Sequence, residues 1–346
     1  AHSVRGYLEA NIEVLAECPL TELDAYLAIS PYSHGSGNLV WPALTAGAKH
    51  VVMQRFDPGE ALRLIAAERC SILFLVPTMI SALLRHPSAA STDFSSLRAI
   101  IYGAAPIPET LIDQAIAVFG NVLYQCYGQS EIVPVTMLLP ADHEADAHGR
   151  RPRLASAGRP TRRSAVRIEG PDGKVLPPGE EGEIVARSPG QMMGIWNDEA
   201  ATRARVTADG WIRTRDRGYI DEDGYLYVKD RIDDMIISGG FNIAPAEIEA
   251  ALTEHPAVAQ CVVFGVPHER WGSTPAAVVR LADPAVKIDP DDLIAWCRER
   301  VGPVKKPSYV IFTDEPLPMN AAGKLLRRAA REKYWPGVQL ALAREA

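Results

Sequence analysis

The stretch AIIYGAAPIPETLIDQAIAVFGNVLYQCYGQSE, residues 99–131, carries the first architectural signal in the chain. Ala99 to Tyr102 is a short apolar run, and Gly103-Ala104-Ala105-Pro106 breaks it. Leu111, Ile112, Ala115, Ile116 and Phe119 then recur at helical spacing until Gly120 ends the stripe. Val122 to Gln125 reads as a second strand running into a loop. A strand, a helix and a strand in immediate succession form the repeating unit of a parallel sheet covered by helices. Upstream the same alternation holds back to Lys49. Val51 to Phe56 reads as a strand, and Asp57-Pro58-Gly59-Glu60 gives the next helix an N-cap, a proline at its first position and a capping-box acid. Ser71 to Val76 reads as the following strand.

Downstream of Arg151 the texture changes. Pro-Asp-Gly, Pro-Pro-Gly, Ala-Asp-Gly and Glu-Asp-Gly turns separate short alternating segments, which predicts hairpins in an antiparallel or barrel-like unit. Beyond Lys229-Asp230-Arg231 the pattern is α+β. It comprises a helix opened by Pro245, paired strands at Val258 to Phe264 and Ala276 to Leu281, a helix near Leu293, a strand at Tyr309 to Phe312 and a basic terminal helix. The expected organisation is residues 1–150 as an α/β part, 151–232 as a β-rich part and 233–346 as a smaller α+β domain.

Composition narrows the function. The 346 residues are 47% hydrophobic and 23% charged, an ordinary globular balance. Lys and Arg total 36 against 43 Asp and Glu, and a net charge of −7 gives no global field for nucleic acid or an anionic membrane. Any phosphate must therefore be held by local geometry. The cysteines at 18, 70, 126, 261 and 297 are odd in number and form no C-x-x-C pair, which fits a reducing, cytoplasmic setting. The most apolar run, Cys70 to Leu84, is too short for a bilayer and is broken by Pro77.

Gln125-Cys126-Tyr127-Gly128-Gln129-Ser130-Glu131 follows a predicted strand at the end where open α/β sheets bind ligands. An aromatic ring, a glycine, a hydroxyl and a carboxylate can together hold a base, a close backbone approach, a phosphate oxygen and a magnesium ion. A turn with a solvated Glu131 accounts for the local sequence equally well. Ser33 beside His34 does not make a nucleophile pair, because sequence neighbours rarely face each other and no acidic orienter follows.

Further blocks stand in order: Trp211 to Asp216, Lys229 to Ile243, Glu247-Ile248-Glu249, and Leu317 to Lys324. With Tyr127 to Glu131 they make the chain resemble the adenylate-forming superfamily, closest to its fatty-acyl and aryl-CoA ligase branch. The resemblance covers about Ile29 to Arg328. It implies the C-terminal part of a large N-domain, with a parallel sheet, helices and a β-barrel-like subdomain, followed by a small α+β domain. It also implies ATP or AMP, Mg2+ and coenzyme A as cofactors and a carboxylic acid as substrate.

By the same resemblance Tyr127 stacks on adenine opposite Gly103, Ala104 and Ala105, and Gly128 lets the nucleotide approach. Ser130 touches the α-phosphate, Glu131 binds magnesium, Asp216 and Arg231 hold the ribose, and Lys324 bridges the substrate carboxylate and α-phosphate. Asp233 is the hinge. Gly239 and Gly240 face the pantetheine arm, although a plain hairpin turn is the commoner role of such a pair. His34, Gly37 and Tyr102 line the acyl pocket, with His34 a gate or wall, or else a structural histidine.

The implied activity is an AMP-forming acid–thiol ligase acting on a hydrophobic fatty or aryl acid, with small molecules as partners and a homodimer allowed. A carrier-protein-loading adenylation domain, an acyl-AMP ligase and a catalytically incomplete nucleotide-binding fragment are the alternatives. The last is motivated by an absence: no Ser/Thr/Gly-rich phosphate loop occurs between Ala1 and Ile29, so an upstream portion of the same protein is expected to carry it. Arg215 also stands where many members have glycine beside the ribose-binding acid.

Overall fold

The computed structural model describes residues 1–29, 32, 35–105, 107–146, 149–320 and 325–336, the side chains of Asp233 and Asn242 excepted. It divides into two compact units, Ala1–Val228 and the remainder from Lys229. It is a mixed α/β protein with a large sheet in the first unit and a small one in the second.

The large sheet has seven strands in the order β2-β1-β3-β4-β5-β6-β7. These are β1 (Ala25–Ala28), β2 (Lys49–Val52), β3 (Ile72–Leu75), β4 (Ala99–Gly103), β5 (Leu123–Gln129), β6 (Ile132–Leu138) and β7 (Arg159–Pro160). The first five run parallel, whereas β6 and β7 are antiparallel to their neighbours. Every residue of β1, β3 and β4 is buried, as expected of parallel strands covered on both faces. The cover is α1 (Val4–Glu17), α2 (Gly37–Thr45), α3 (Pro58–Ala67), α4 (Pro77–Arg85) and α5 (Glu109–Phe119). Their apolar residues, among them Leu39, Leu62, Ile80 and Ile112, share one core with the strands.

Local chemistry sets these boundaries as anticipated for α3 and α5. Asp57 accepts from the Glu60 amide at 2.8 Å with Pro58 next to it, and Gly120 ends α5 at φ +83°. Elsewhere the limits shift. β2 closes at Val52 instead of Phe56, and β5 runs on to Gln129 where a loop was expected, because β6 pairs with it antiparallel from Leu138 to Ile132.

The β-rich stretch forms an open antiparallel sheet in the order β11-β10-β9-β8, made of β8 (Ala165–Glu169), β9 (Gly182–Arg187), β10 (Ile212–Ile220) and β11 (Leu226–Arg231). α6 (Glu199–Arg205) precedes β10.

In the second unit β12 (Ile236–Ser238) and β13 (Phe241–Ile243) form a hairpin, and α7 (Pro245–Thr253) follows. A three-stranded sheet is made of β14 (Val258–His268), β15 (Gly272–Leu281) and β16 (Tyr309–Phe312). Side-chain alternation splits its strands between two cores. Cys261, Val263, Ala277 and Val279 pack with Ile248 and Leu252 of α7 and with Leu293 and Cys297 of α8 (Pro290–Val301). Val262, Phe264, Ala276 and Val278 pack instead with Ala330 of α9 (Arg327–Tyr334). Among the described residues no helix is long and apolar enough to cross a membrane.

Candidate active site

Gly103 closes β4 directly opposite Cys126 of β5. A Cβ at residue 103 would lie 2.2 Å from the Cys126 carbonyl oxygen, so only glycine lets the two strands approach to pairing distance. Ala104 then turns at φ +67°, which ends the strand abruptly. On β5 a Cβ at Gly128 would stand 2.8 Å from the Ile132 carbonyl oxygen, so the second glycine serves the close return of β6. Gln129 pairs with Ile132, which puts Ser130 and Glu131 at the tip of a two-residue hairpin. The neighbouring thiol is not a nucleophile: burial pushes Cys126 up to about 12.

Asp216 comes to this strand from β10. The ladder between β9 and β10 shifts register between Arg213 and Arg217, and Arg215 within the shift has φ +62°. The buried Thr214 fixes the irregularity. Its hydroxyl donates to the Ile184 carbonyl at 2.7 Å and accepts from the Asp216 amide at 3.1 Å. Asp216, a residue 7% exposed, then accepts on Oδ2 from the Tyr127 hydroxyl at 2.7 Å and from Gln129 Nε2 at 2.7 Å. Gln129 also donates to the Thr214 carbonyl at 2.8 Å, and its own Oε1 is buried with no hydrogen-bond partner among the described residues. The residues assigned to adenine and to ribose thus touch each other across 89 positions of sequence.

The hairpin tip is tied down from three sides. His2 Nε2 donates to the Ser130 carbonyl at 2.7 Å, the Met192 amide donates to the Glu131 carbonyl at 2.7 Å, and Arg205 Nη2 reaches Glu131 Oε1 at 3.3 Å. Ser130 is exposed and Glu131 half-buried. Among the described residues no group of three or more His, Cys, Asp or Glu could form a protein-only metal cage. A lone carboxylate such as Glu131 is instead a donor set that suits magnesium already carried by phosphate oxygens.

At the start of α2, Gly37 has its Cα against Tyr32, whose carbonyl oxygen a Cβ would meet at 1.9 Å. Gly35 is forced in the same way by the Phe74 ring at 2.1 Å. Tyr102 is fully buried. His143 Nδ1 donates to the Leu139 carbonyl at 2.8 Å, so its Nε2 accepts, and the Tyr102 hydroxyl supplies the donor at 2.9 Å. Burial holds the His143 imidazole below its ordinary pKa and keeps it neutral. Tyr102 therefore lies in the interior, with its hydroxyl engaged by His143. His34 lies outside the described residues.

The second unit contributes its own groups. Gly239 and Gly240, at φ +55° and +85°, form the two-residue turn joining β12 to β13, a conformation that L side chains resist at both positions. The Gly239 amide donates to the Trp271 carbonyl at 2.9 Å, and a Cβ there would meet the indole at 2.7 Å. Arg231 ends β11, and Asp233 sits in the short helical turn Ile232–Asp234. Lys324 lies outside the described residues. Just beyond it, Arg327 pairs with Asp234 and with both oxygens of Glu249 at 3.0 and 2.9 Å. Glu249 Oε1 also accepts the Val263 amide at 2.7 Å. Burial raises the pKa of Glu249 and of nearby Asp230, and Arg327 counteracts it.

The structure therefore gathers Gly103, Tyr127, Gly128, Ser130, Glu131 and Asp216 around β5. It places Arg231, Gly239 and Gly240 in the other unit. The sequence alone does not single out Gln129, Arg205 or His143. Gln129 stood within a quoted motif, whereas Arg205 lies in a short helix rich in charge that reads as solvated surface.

Comparison with known proteins accords with this arrangement. Residues 1–196 match the family model of AMP-binding enzymes, and residues 247–324 match that of the AMP-binding enzyme C-terminal domain. The chain belongs to the adenylate-forming AMP-binding enzyme family. It is 40% identical over 325 residues to the feruloyl-CoA synthase of Amycolatopsis sp, covering 93% of this chain and 64% of that protein. The amide bond synthetase McbA from Marinactinospora thermotolerans superposes with a TM-score of 0.87 at 34% identity, over 96% of this chain and 67% of that one. The o-succinylbenzoate CoA synthetase from Bacillus subtilis, solved with its acyl-adenylate intermediate, superposes with a TM-score of 0.82 at 33% identity, over 94% and 64% of the two chains.

Proposed function

We propose that the protein is an ATP-dependent acid–thiol ligase that converts a hydrophobic aryl or fatty carboxylic acid to its CoA thioester through an acyl-adenylate. The observation that carries this reading is the convergence of Tyr127 and Gln129 on Asp216 beside the Ser130–Glu131 tip. A carboxylate fixed by two donors is a rigid acceptor for paired ribose hydroxyls, and the Tyr127 ring next to it offers a face for the base. The small residues Gly103, Ala104 and Ala105 are assigned to the opposite face of the base, and Gly128 to its close approach.

Attack of a carboxylate on the α-phosphate brings two anions together, so catalysis rests on alignment and charge neutralisation. Ser130 is assigned to the α-phosphate and Lys324 to the bridge between phosphate and substrate carboxylate, with pyrophosphate leaving. Magnesium, when bound, lowers the charge of the polyphosphate, and Glu131 is the residue that would hold it. Thioester formation needs the lysine out of the way, which assigns a swing of the C-terminal domain at Asp233 and a lining role for Gly239 and Gly240. Arg231 is assigned to the ribose, and His34, Gly37 and Tyr102 to the acyl side. The working division remains residues 1–150, 151–232 and 233–346, in a reduced, cytoplasmic setting.

The likeness to an amide bond synthetase favours a second reading, in which an amine takes the acyl group from the adenylate. Mass spectrometry of the full-length protein with MgATP, CoA, an amine and a ladder of aryl and fatty acids separates the two. Acyl-CoA formed from a subset of acids is expected. Amide formed without acyl-CoA would establish the second reading, and no acyl-AMP from any acid would refute both.

A further inference from the structure

We infer that Arg205 is the positioning residue that sets the magnesium-binding acid and the ribose-binding acid as one unit, an inference that rests on the ligase reading above. Its guanidinium touches both halves of the nucleotide site. Nη1 donates to the Arg213 carbonyl at 3.0 Å and the Thr214 carbonyl at 3.2 Å, the two residues that begin the irregularity presenting Asp216. Nη2 pairs with Glu131 Oε1 at 3.3 Å. The two nitrogens belong to one rigid plane, so fixing Nη1 on the bulge fixes where Nη2 meets the carboxylate. Glu131 is thereby hydrogen-bonded to this guanidinium through Oε1.

The placement of Arg205 is itself specified. Asp198 caps the start of α6 by accepting the Ala201 amide at 2.8 Å, and the Thr202 hydroxyl accepts the Ile195 amide at 2.8 Å and donates to the Asp198 carbonyl at 2.8 Å. After the helix, a bridge between Val206 and Ile212 returns the chain to β10. Arg205 therefore projects from the last turn of a short helix anchored at both ends. Its side chain is 21% exposed and that of Glu131 is 26% exposed, so solvent screens the pair only in part.

A side chain that orients a metal-binding carboxylate without binding the metal changes metal affinity more than nucleotide affinity. The test is Mn2+ titration by electron paramagnetic resonance on the full-length protein with saturating ATP and no acid, alongside calorimetric AMP binding without metal. Arg205→Ala is expected to raise the half-saturating Mn2+ concentration about 10- to 100-fold, with a much smaller loss of AMP affinity, because Thr214, Tyr127 and Gln129 still hold Asp216. Arg205→Lys, whose point charge cannot span both carbonyls and Glu131, should fall between. In a Glu131→Gln background Arg205→Ala should add nothing.

Unchanged or tighter Mn2+ binding in Arg205→Ala would overturn the inference by marking Arg205 as a bystander or a competitor of the metal. Equal loss of AMP and Mn2+ binding in both Arg205 variants would overturn it in favour of direct nucleotide contact or a structural role. A wild-type protein that binds neither AMP nor ATP would overturn the ligase reading itself, and this inference with it.

Discussion

Tyr127→Phe removes one hydroxyl and leaves the ring, so it separates positioning of Asp216 from any stacking on a base. The lost bond is short, 2.7 Å, and ends on Asp216, a residue 7% exposed. A hydrogen bond to a charged group contributes about 1.5–3 kcal/mol. Gln129 still donates to the same oxygen, so Asp216 is not stranded and the lower part of that range applies, about 1.5–2 kcal/mol. For a unit the size of Ala1–Val228 this lowers the melting temperature by about 3–8 °C. AMP affinity should fall about tenfold, the equivalent of ~1.4 kcal/mol, because the ribose acceptor loses a fixed donor.

The assay pairs thermal unfolding with calorimetric AMP binding for Tyr127→Phe, Asp216→Asn and the double variant. A coupling energy above about 1 kcal/mol between the two positions is expected of residues in direct contact. Single and double variants that add within about 0.5 kcal/mol would show that the two residues do not support each other, and the reasoning from the bond would fail.

The remaining predictions concern stability. His143 is held neutral by burial, so its pKa is depressed on folding; its contribution is complete above the ordinary histidine pKa of 6.5 and is lost as pH falls from there toward the folded value. Melting temperature should decline between about pH 7 and pH 5, and His143→Gln should flatten that slope, with His50 leaving a residue of it because burial depresses its pKa too. Arg327→Met leaves Glu249 and Asp234 without their cation and should cost about 3–5 kcal/mol in urea unfolding, while Glu249→Gln with Arg327→Met recovers part of it. Gly240→Ala faces open space and should cost only the positive-φ penalty of about 1–2 kcal/mol. Gly239→Ala meets the Trp271 ring as well and should cost more, read as a larger drop in the melting temperature of the C-terminal unit.

Local chemistry made part of the fold legible. The all-buried runs of β3 and β4, the cap at Asp57 and the stop at Gly120 each follow from a handful of adjacent residues. α1 does not read as a helix in sequence because its apolar positions are divided between buried Val14 and exposed Val4, Leu8 and Ile12, which blurs the helical stripe. The Gly37–Thr45 segment did not read as a helix because Pro42 lies inside it. The run Ile132–Leu138 carries Pro134, which argues against a strand in sequence, yet β6 forms there with β5 on one side and β7 on the other.

The site divides along the same line. Tyr127, Glu131 and Asp216 belong to motifs whose residue types announce a ligand, but nothing local says that the first and last share a hydrogen bond. Register decides that. Along β10 the buried residues alternate, Ile212, Thr214, Asp216 and Gly218, so Asp216 lies on the covered face, and the register shift between Arg213 and Arg217 falls around it. Arg215 at φ +62° is the residue that bears the cost of the shift, where a glycine would bear none. The carbonyls exposed around this strained point are the ones Arg205 takes up. The bulge, the acid it presents and the arginine that braces it are therefore one device, and replacing Arg215 by glycine should relax the backbone while leaving Asp216 in place.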